Sequence, residues 1–71
     1  MSTVEQIRSG RKLLGWSQEQ LAEAAGIAPT IAARAETRGV SEALTAQLLS
    51  ALVRAGVSFE PDGGVSLAKQ R

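Results

Sequence analysis

The tetrapeptide Gly26-Ile27-Ala28-Pro29 limits this chain more than any other stretch. Glycine most readily takes the left-handed conformation that ends a helix, and proline, with φ already helical and no N–H to leave unsatisfied, suits the first position of the next. Upstream, Ser17 stands at an N-cap position with Gln20 three residues on. Hydroxyl and amide can then satisfy each other's orphan backbone N–H groups in a capping box. Trp16 before the cap and Leu21 after it form a hydrophobic staple. The stretch from Trp16 to Glu36 therefore encodes helix, glycine turn, helix, and the small side chains Ala22, Ala25 and Ala32 favour a close crossing.

That layout is a helix-turn-helix. The residues around it resemble the Cro and repressor-like (XRE) family: Gly15-Trp16-Ser17-Gln18 and Leu21-Ala22, then Ala25-Gly26-Ile27, then Ala33-Arg34-Ala35-Glu36. The likeness covers about the first 55 residues and is more specific in its front half. It implies a mainly α fold, a four-helix helix-turn-helix domain, and a DNA-binding regulator.

A chain of 71 residues is read as a single domain, 1–71. A domain of this size buries only about 60% of its unfolded surface and is marginal. It has no Cys and no His, hence neither a disulfide nor an ordinary zinc site to reinforce it. Self-association can supply the missing stability, and a homodimer is expected. No apolar run approaches membrane-spanning length and the first residues lack the apolar core of a signal peptide, so a cytoplasmic protein is expected. Eight basic and seven acidic residues leave a net charge of +1, low for a nucleic-acid binder. Attraction to phosphate must come from where the cations sit.

Taken in order, helix 1 is expected over about 4–14, with Ser2 and Thr3 as possible caps. Ile7, Arg11 and Leu14 share one face, Val4 and Gly10 at its margins. A cation on that face either snorkels or finds a partner, because an unpaired buried charge costs several kcal/mol. The resemblance implies the partner, Glu36, making Arg11 and Glu36 a structural ion pair. Helix 2 is expected over about 18–25. By resemblance, Ser17 and Gln18 contact a DNA phosphate at its positive end.

Helix 3, about 29–37, is the candidate recognition helix. Two registers are open. With Ala32 and Ala35 inward, Thr30, Ala33, Arg34 and Thr37 point outward and Pro29 leads; with Ile31 and Ala35 inward, Arg34 turns sideways. The resemblance implies base readout by Pro29, Thr30, Ala33 and Arg34 and phosphate contacts by Thr37 and Arg38, with Arg8 or Lys12 as further candidates. This face departs from the family, whose members usually carry Ser or Thr at the cap and polar side chains outward; here Ala28, Pro29 and Ala33 stand there. Only Arg34 can hold guanine bidentately, and the rest offer apolar contact to thymine methyls.

Ser41 is expected to cap helix 4, about 42–55, with Leu44, Leu48, Ala51, Leu52 and Ala55 inward. Leu49 and Val53 fall near the opposite side, too apolar for a solvated face, and read as a partner surface. After Gly56, Val57–Glu60 and Val65–Ala68 alternate apolar and polar around Pro61-Asp62-Gly63-Gly64, the pattern of a β-hairpin where larger members of the family usually add a helix. A lone hairpin is marginal, so it must pack on the helices or pair edge to edge with a second subunit. Leu49, Val53, Val57, Phe59, Val65 and Leu67 are the candidate dimer interface. Lys69, Gln70 and Arg71 read as a solvated tail, though two of them are cations within reach of phosphate.

An enzyme is not expected: the chain has no His, Cys or Tyr, no phosphate-binding glycine loop and no obvious carboxylate pair, and Asp62-Gly63-Gly64 is explained by its turn. The leading expectation is a sequence-specific transcriptional regulator, a repressor that binds a palindromic operator on double-stranded DNA as a dimer, with no cofactor. The alternative is a protein-binding module on the same scaffold, an anti-repressor or anti-activator, which the bare outward face of helix 3 and the low charge favour.

Overall fold

The computed structural model describes residues 3–68. The possible cap Ser2 and the tail residues Lys69, Gln70 and Arg71 lie outside them. The chain forms α1 (Thr3–Leu13), α2 (Gln18–Ala25), α3 (Pro29–Ala35), α4 (Glu42–Arg54), β1 (Val57–Phe59) and β2 (Val65–Leu67). The mainly α architecture with a terminal hairpin agrees with the sequence, and the ends of elements differ by a residue or two. Thr3 is the first helical residue rather than a cap, and α1 ends at Leu13.

Local chemistry accounts for the boundaries of α2. Ser17 Oγ accepts from the Gln20 N–H at 3.1 Å while Gln20 Oε1 accepts from the Ser17 N–H at 2.8 Å, closing the capping box. Gly26 ends the helix at φ 72, ψ 33, a conformation costly to any residue with a Cβ. Pro29 then opens α3 from Ala28, which provides no side-chain cap. Ser41 Oγ accepts from Leu44 N–H at 3.2 Å and starts α4.

The core is built from α1, α2, α3, α4 and β1 together: Ile7, Leu21, Ala22, Ala25, Ala32, Ala35, Leu48, Ala51, Leu52 and Val57 are buried. Ala22 and Ala25 of α2 and Ala32 and Ala35 of α3 are among them, and such small side chains let helix axes approach closely. On α3 it is Ala32 and Ala35 that turn inward, with Ile31 only half-buried, so the second of the two registers is excluded. On α4, Leu48, Ala51 and Leu52 are buried and Leu44 and Ala55 half-buried, while Leu49 packs against the core from its edge.

The hairpin packs on the helices. β1 and β2 are antiparallel, with Val57 opposite Leu67 and Phe59 opposite Val65, and both strands lie against α1 while β1 also meets α4. Asp62 Oδ1 accepts from the Gly64 N–H at 2.9 Å to shape the turn, and Gln6 Nε2 donates to the Gly63 carbonyl at 3.2 Å. Val57 is only 2% exposed. It reaches the core because Gly10 lets it: a Cβ on Gly10 would stand 3.3 Å from both Val57 Cγ1 and Leu52 Cδ1. Helix 1 thus carries a glycine in its interior despite the loss of about 1 kcal/mol relative to alanine. Replacing Gly10 by valine should overpack this junction and lower stability by about 1–3 kcal/mol in urea denaturation; an unchanged midpoint would mean that the hairpin can move away without loss.

Candidate nucleic-acid interface

The site begins with a charge that ought not to be buried. Glu36, just past the end of α3, is 2% exposed, and an unpaired carboxylate there would cost several kcal/mol. It is not unpaired. Arg11 Nε donates to Glu36 Oε2 at 2.6 Å and Arg11 Nη2 to Oε1 at 3.0 Å, a bidentate ion pair. Gln18 Nε2 adds a third hydrogen bond to Oε1 at 3.3 Å. The remaining reach of Arg11 goes to the Trp16 carbonyl, accepting from Nη1 at 2.8 Å. Arg8 Nη2 donates to the Glu36 backbone carbonyl at 2.7 Å. Among the described residues no buried side-chain nitrogen or oxygen lacks a hydrogen-bond partner.

This cluster ties α1, the start of α2 and the end of α3 to one residue. It also explains why α3 stops at Ala35 and does not run on to Thr37. The N–H groups of Glu36 and Thr37 bond three residues back, to Ala33 and Arg34, which tightens the last turn and draws Glu36 inward. The N–H groups of Thr37, Arg38 and Gly39 converge on the Arg34 carbonyl at 3.1, 2.8 and 3.0 Å. The end of the helix is therefore closed by its own chain.

With Ala32, Ala35 and Glu36 facing inward, the other side of α3 is open. Pro29, Thr30 and Arg34 are exposed and Ala33 is half-buried. Thr37 and Arg38 are exposed beyond the helix end, and the Thr37 hydroxyl lies 3.2 Å from the carbonyls of both Ala33 and Arg34, to which it donates. Ser17 is exposed at the start of α2, whereas the Gln18 side chain is turned toward Glu36 and half-buried. Pro29, Thr30, Ala33 and Arg34 thus share one surface, bordered by Thr37 and Arg38. The candidate interface residues of α4 and the hairpin are distributed differently: Val53 and Leu67 are 54% and 51% exposed, Leu49, Phe59 and Val65 are half-buried, and Val57 is enclosed by its own chain.

Sequence reasoning did not find the inward hydrogen bond of Gln18, the hold of Arg8 on the Glu36 carbonyl or the close approach at Gly10. A signal for the first two was present, since a buried carboxylate has more acceptor sites than one guanidinium fills and recruits further donors nearby.

Comparison with known proteins gives one finding: the helix-turn-helix family model matches residues 7–55, more than half the chain. No curated protein and no solved structure matches. The matched segment starts at Ile7 and ends at Ala55, so it includes all of α2, α3 and α4 and leaves out the hairpin.

Removing either partner of the Arg11–Glu36 pair leaves the other charge buried, at a cost of about 3–5 kcal/mol. Arg11→Met and Glu36→Leu should each destabilise on that scale, and the double variant by clearly less than their sum. The check is a double-mutant cycle by chemical denaturation, in which additive losses would mean that the two side chains are not coupled.

Proposed function

The chain belongs to the helix-turn-helix family of the Cro and repressor-like (XRE) type, whose members are DNA-binding transcription regulators, and from that premise we propose that it is a sequence-specific repressor that binds a palindromic operator as a homodimer. The observation that carries the proposal is the two-sidedness of α3: its inner side is locked by Ala32, Ala35 and Glu36 while Pro29, Thr30 and Arg34 stand free. A helix held so firmly on one side can present the other to the major groove with little loss of conformational freedom.

In this reading Arg34 donates to O6 and N7 of a guanine, and Pro29, Thr30 and Ala33 make apolar contacts with thymine methyls. Ser17, the first amides of α2, Thr37 and Arg38 meet the phosphates. Gln18 has one amide hydrogen left for a phosphate after its bond to Glu36, and Thr37 must turn its hydroxyl from the carbonyls of Ala33 and Arg34 to do the same. Readout by base contact is thin, so the sequence-dependent shape of the duplex supplies part of the selectivity. Two copies read half-sites about one helical turn, ~34 Å, apart. No step calls for a cofactor or for catalysis, and the work is assigned to the cytoplasm; no helix among the described residues is long and apolar enough to cross a membrane.

A second reading keeps the scaffold and turns it on another regulator, as an anti-repressor or anti-activator. The outward face of α3, with Arg34 its only ionic group, and the net charge of +1 favour it.

Fluorescence anisotropy against DNA from immediately upstream of the coding region, beside scrambled duplex and at two salt concentrations, separates these readings. A repressor should prefer the upstream DNA and lose affinity with a log–log salt slope of about −0.9 per phosphate neutralised. Arg34→Ala should cost about 1–3 kcal/mol and relax the preference at one base pair, whereas Arg38→Ala should weaken all sequences alike and reduce the slope by about 1. Affinity indifferent to both sequence and salt would reject DNA reading and favour the protein partner.

A further inference from the structure

The outer side of α4 carries an arrangement that the proposed contacts with DNA do not use. Glu42, Ala43, Ala46, Ser50, Val53 and Arg54 are all exposed. At 3.6 residues per turn they fall on the side opposite Leu48, Ala51 and Leu52. Val53, at 54% exposure, is the most exposed of the large apolar side chains among the described residues. Beside this face opens a cavity of about 400 Å3, lined by Val4 and Ile7 of α1, by Val40, and by Thr45, Ala46 and Leu49 of α4. The ends of the helix carry opposite charges, Glu42 in the first turn and Arg54 in the last. Arg11–Glu36 is the only ion pair among the described residues. Among the described residues neither Glu42 nor Arg54 has a charged partner, and Arg54 Nη1 donates to the Ser50 hydroxyl at 2.9 Å.

We infer that this face joins two copies of the chain, α4 against α4 in antiparallel orientation about a two-fold axis between Ala46 and Ser50. The charge pattern selects a second copy as the occupant. A two-fold interface must be complementary to itself, so that when residue i meets residue j, j also meets i. Reading α4 against its own reverse sets Glu42 opposite Arg54, Ala43 opposite Val53 and Ala46 opposite Ser50. Two opposite-charge pairs close the ends, about 18 Å apart along each helix. Alanine and serine at the centre allow close approach, and Val53 of each copy covers the region of Glu42 and Ala43 at the mouth of the other's cavity. A parallel arrangement would set like charges together at both ends.

Each charge also suits its own helix dipole, which favours an acid at the start and a base at the end. The two roles give opposite results on a charge swap. Dipole stabilisation is worst when both charges are exchanged; antiparallel pairing is then restored. The inference rests on the dimeric reading above, but oligomeric state is measured without DNA, so a failure to bind DNA leaves it standing, and a monomer that still binds DNA overturns it alone.

The experiment is sedimentation equilibrium on the full chain and on Glu42→Arg, Arg54→Glu and the double exchange, with circular dichroism to verify folding. The wild-type chain should be a dimer, each single exchange should weaken dimerisation about tenfold or more by facing like charges twice, and the double exchange should recover most of the loss. A monomeric wild type, single exchanges without effect, or a double exchange weaker than either single would each overturn the inference. So would loss of the dimer in Leu67→Glu with the α4 exchanges unaffected, since that result puts the joint at the free edge of β2.

Discussion

Burial of Glu36 sets the terms for everything around it. A carboxylate at 2% exposure is tolerable only where opposite charge and hydrogen bonds replace water, and this chain supplies them from separate elements: Arg11 from α1, Gln18 from the first turn of α2, and Arg8 on the backbone carbonyl. Because the donors come from α1 and α2 and the acceptor follows α3, the cluster forms only when the three elements are correctly placed. An apolar contact tolerates sliding by an ångström, whereas a bidentate ion pair with donors at 2.6 and 3.0 Å does not. The angle between α2 and α3 is thereby coupled to α1.

The need for such a device follows from how little the core can do. Five of its ten buried apolar residues are alanines, and its largest apolar members are Ile7, Leu21, Leu48 and Leu52. Alanine at Ala22, Ala25, Ala32 and Ala35 brings helices close but removes little apolar area from water, and Gly10 repeats the exchange where α1 meets Leu52 and Val57. Close approach is gained at the expense of burial. The hairpin offsets part of this by placing Val57 in the core and resting Phe59 and Val65 against it.

What could be read from the sequence was what local rules decide. Ser17 with Gln20, Gly26 and Pro29 fix their backbone conformations almost independently of the rest of the chain, and Pro61-Asp62-Gly63-Gly64 does the same for the hairpin. The register of α3 was not decided locally, because Ile31 and Ala32 are both apolar and a seven-residue helix gives too short a pattern to choose between them. Packing chose Ala32, for isoleucine at that position would hold α2 and α3 apart. The end of α3 at Ala35, two residues short of the helical pattern that Glu36 and Thr37 continue, has a similar reason: the pull of Arg11 on the Glu36 side chain is a long-range effect. Gln18 shows the limit most clearly. Its position at the start of α2 was evident, yet its direction depends on a carboxylate 18 residues away.

The outward face of α3 is chemically poor, and its mechanical precision compensates for that in the proposed reading. Arg34 has its backbone carbonyl engaged by the N–H groups of Thr37, Arg38 and Gly39, and the residues that flank Arg34 on the inner side, Ala32, Ala35 and Glu36, are fixed in the core. Its guanidinium thus starts from a defined point, and only side-chain freedom is lost when it meets a base. A single well-placed bidentate contact discriminates by about 1–3 kcal/mol, too little for one half-site to stand out from a genome. Joining two copies adds the two discriminations in free energy, which multiplies them in affinity. On a scaffold with one strong reading side chain, selectivity is therefore as much a property of the surface that sets the spacing of two α3 helices as of α3 itself.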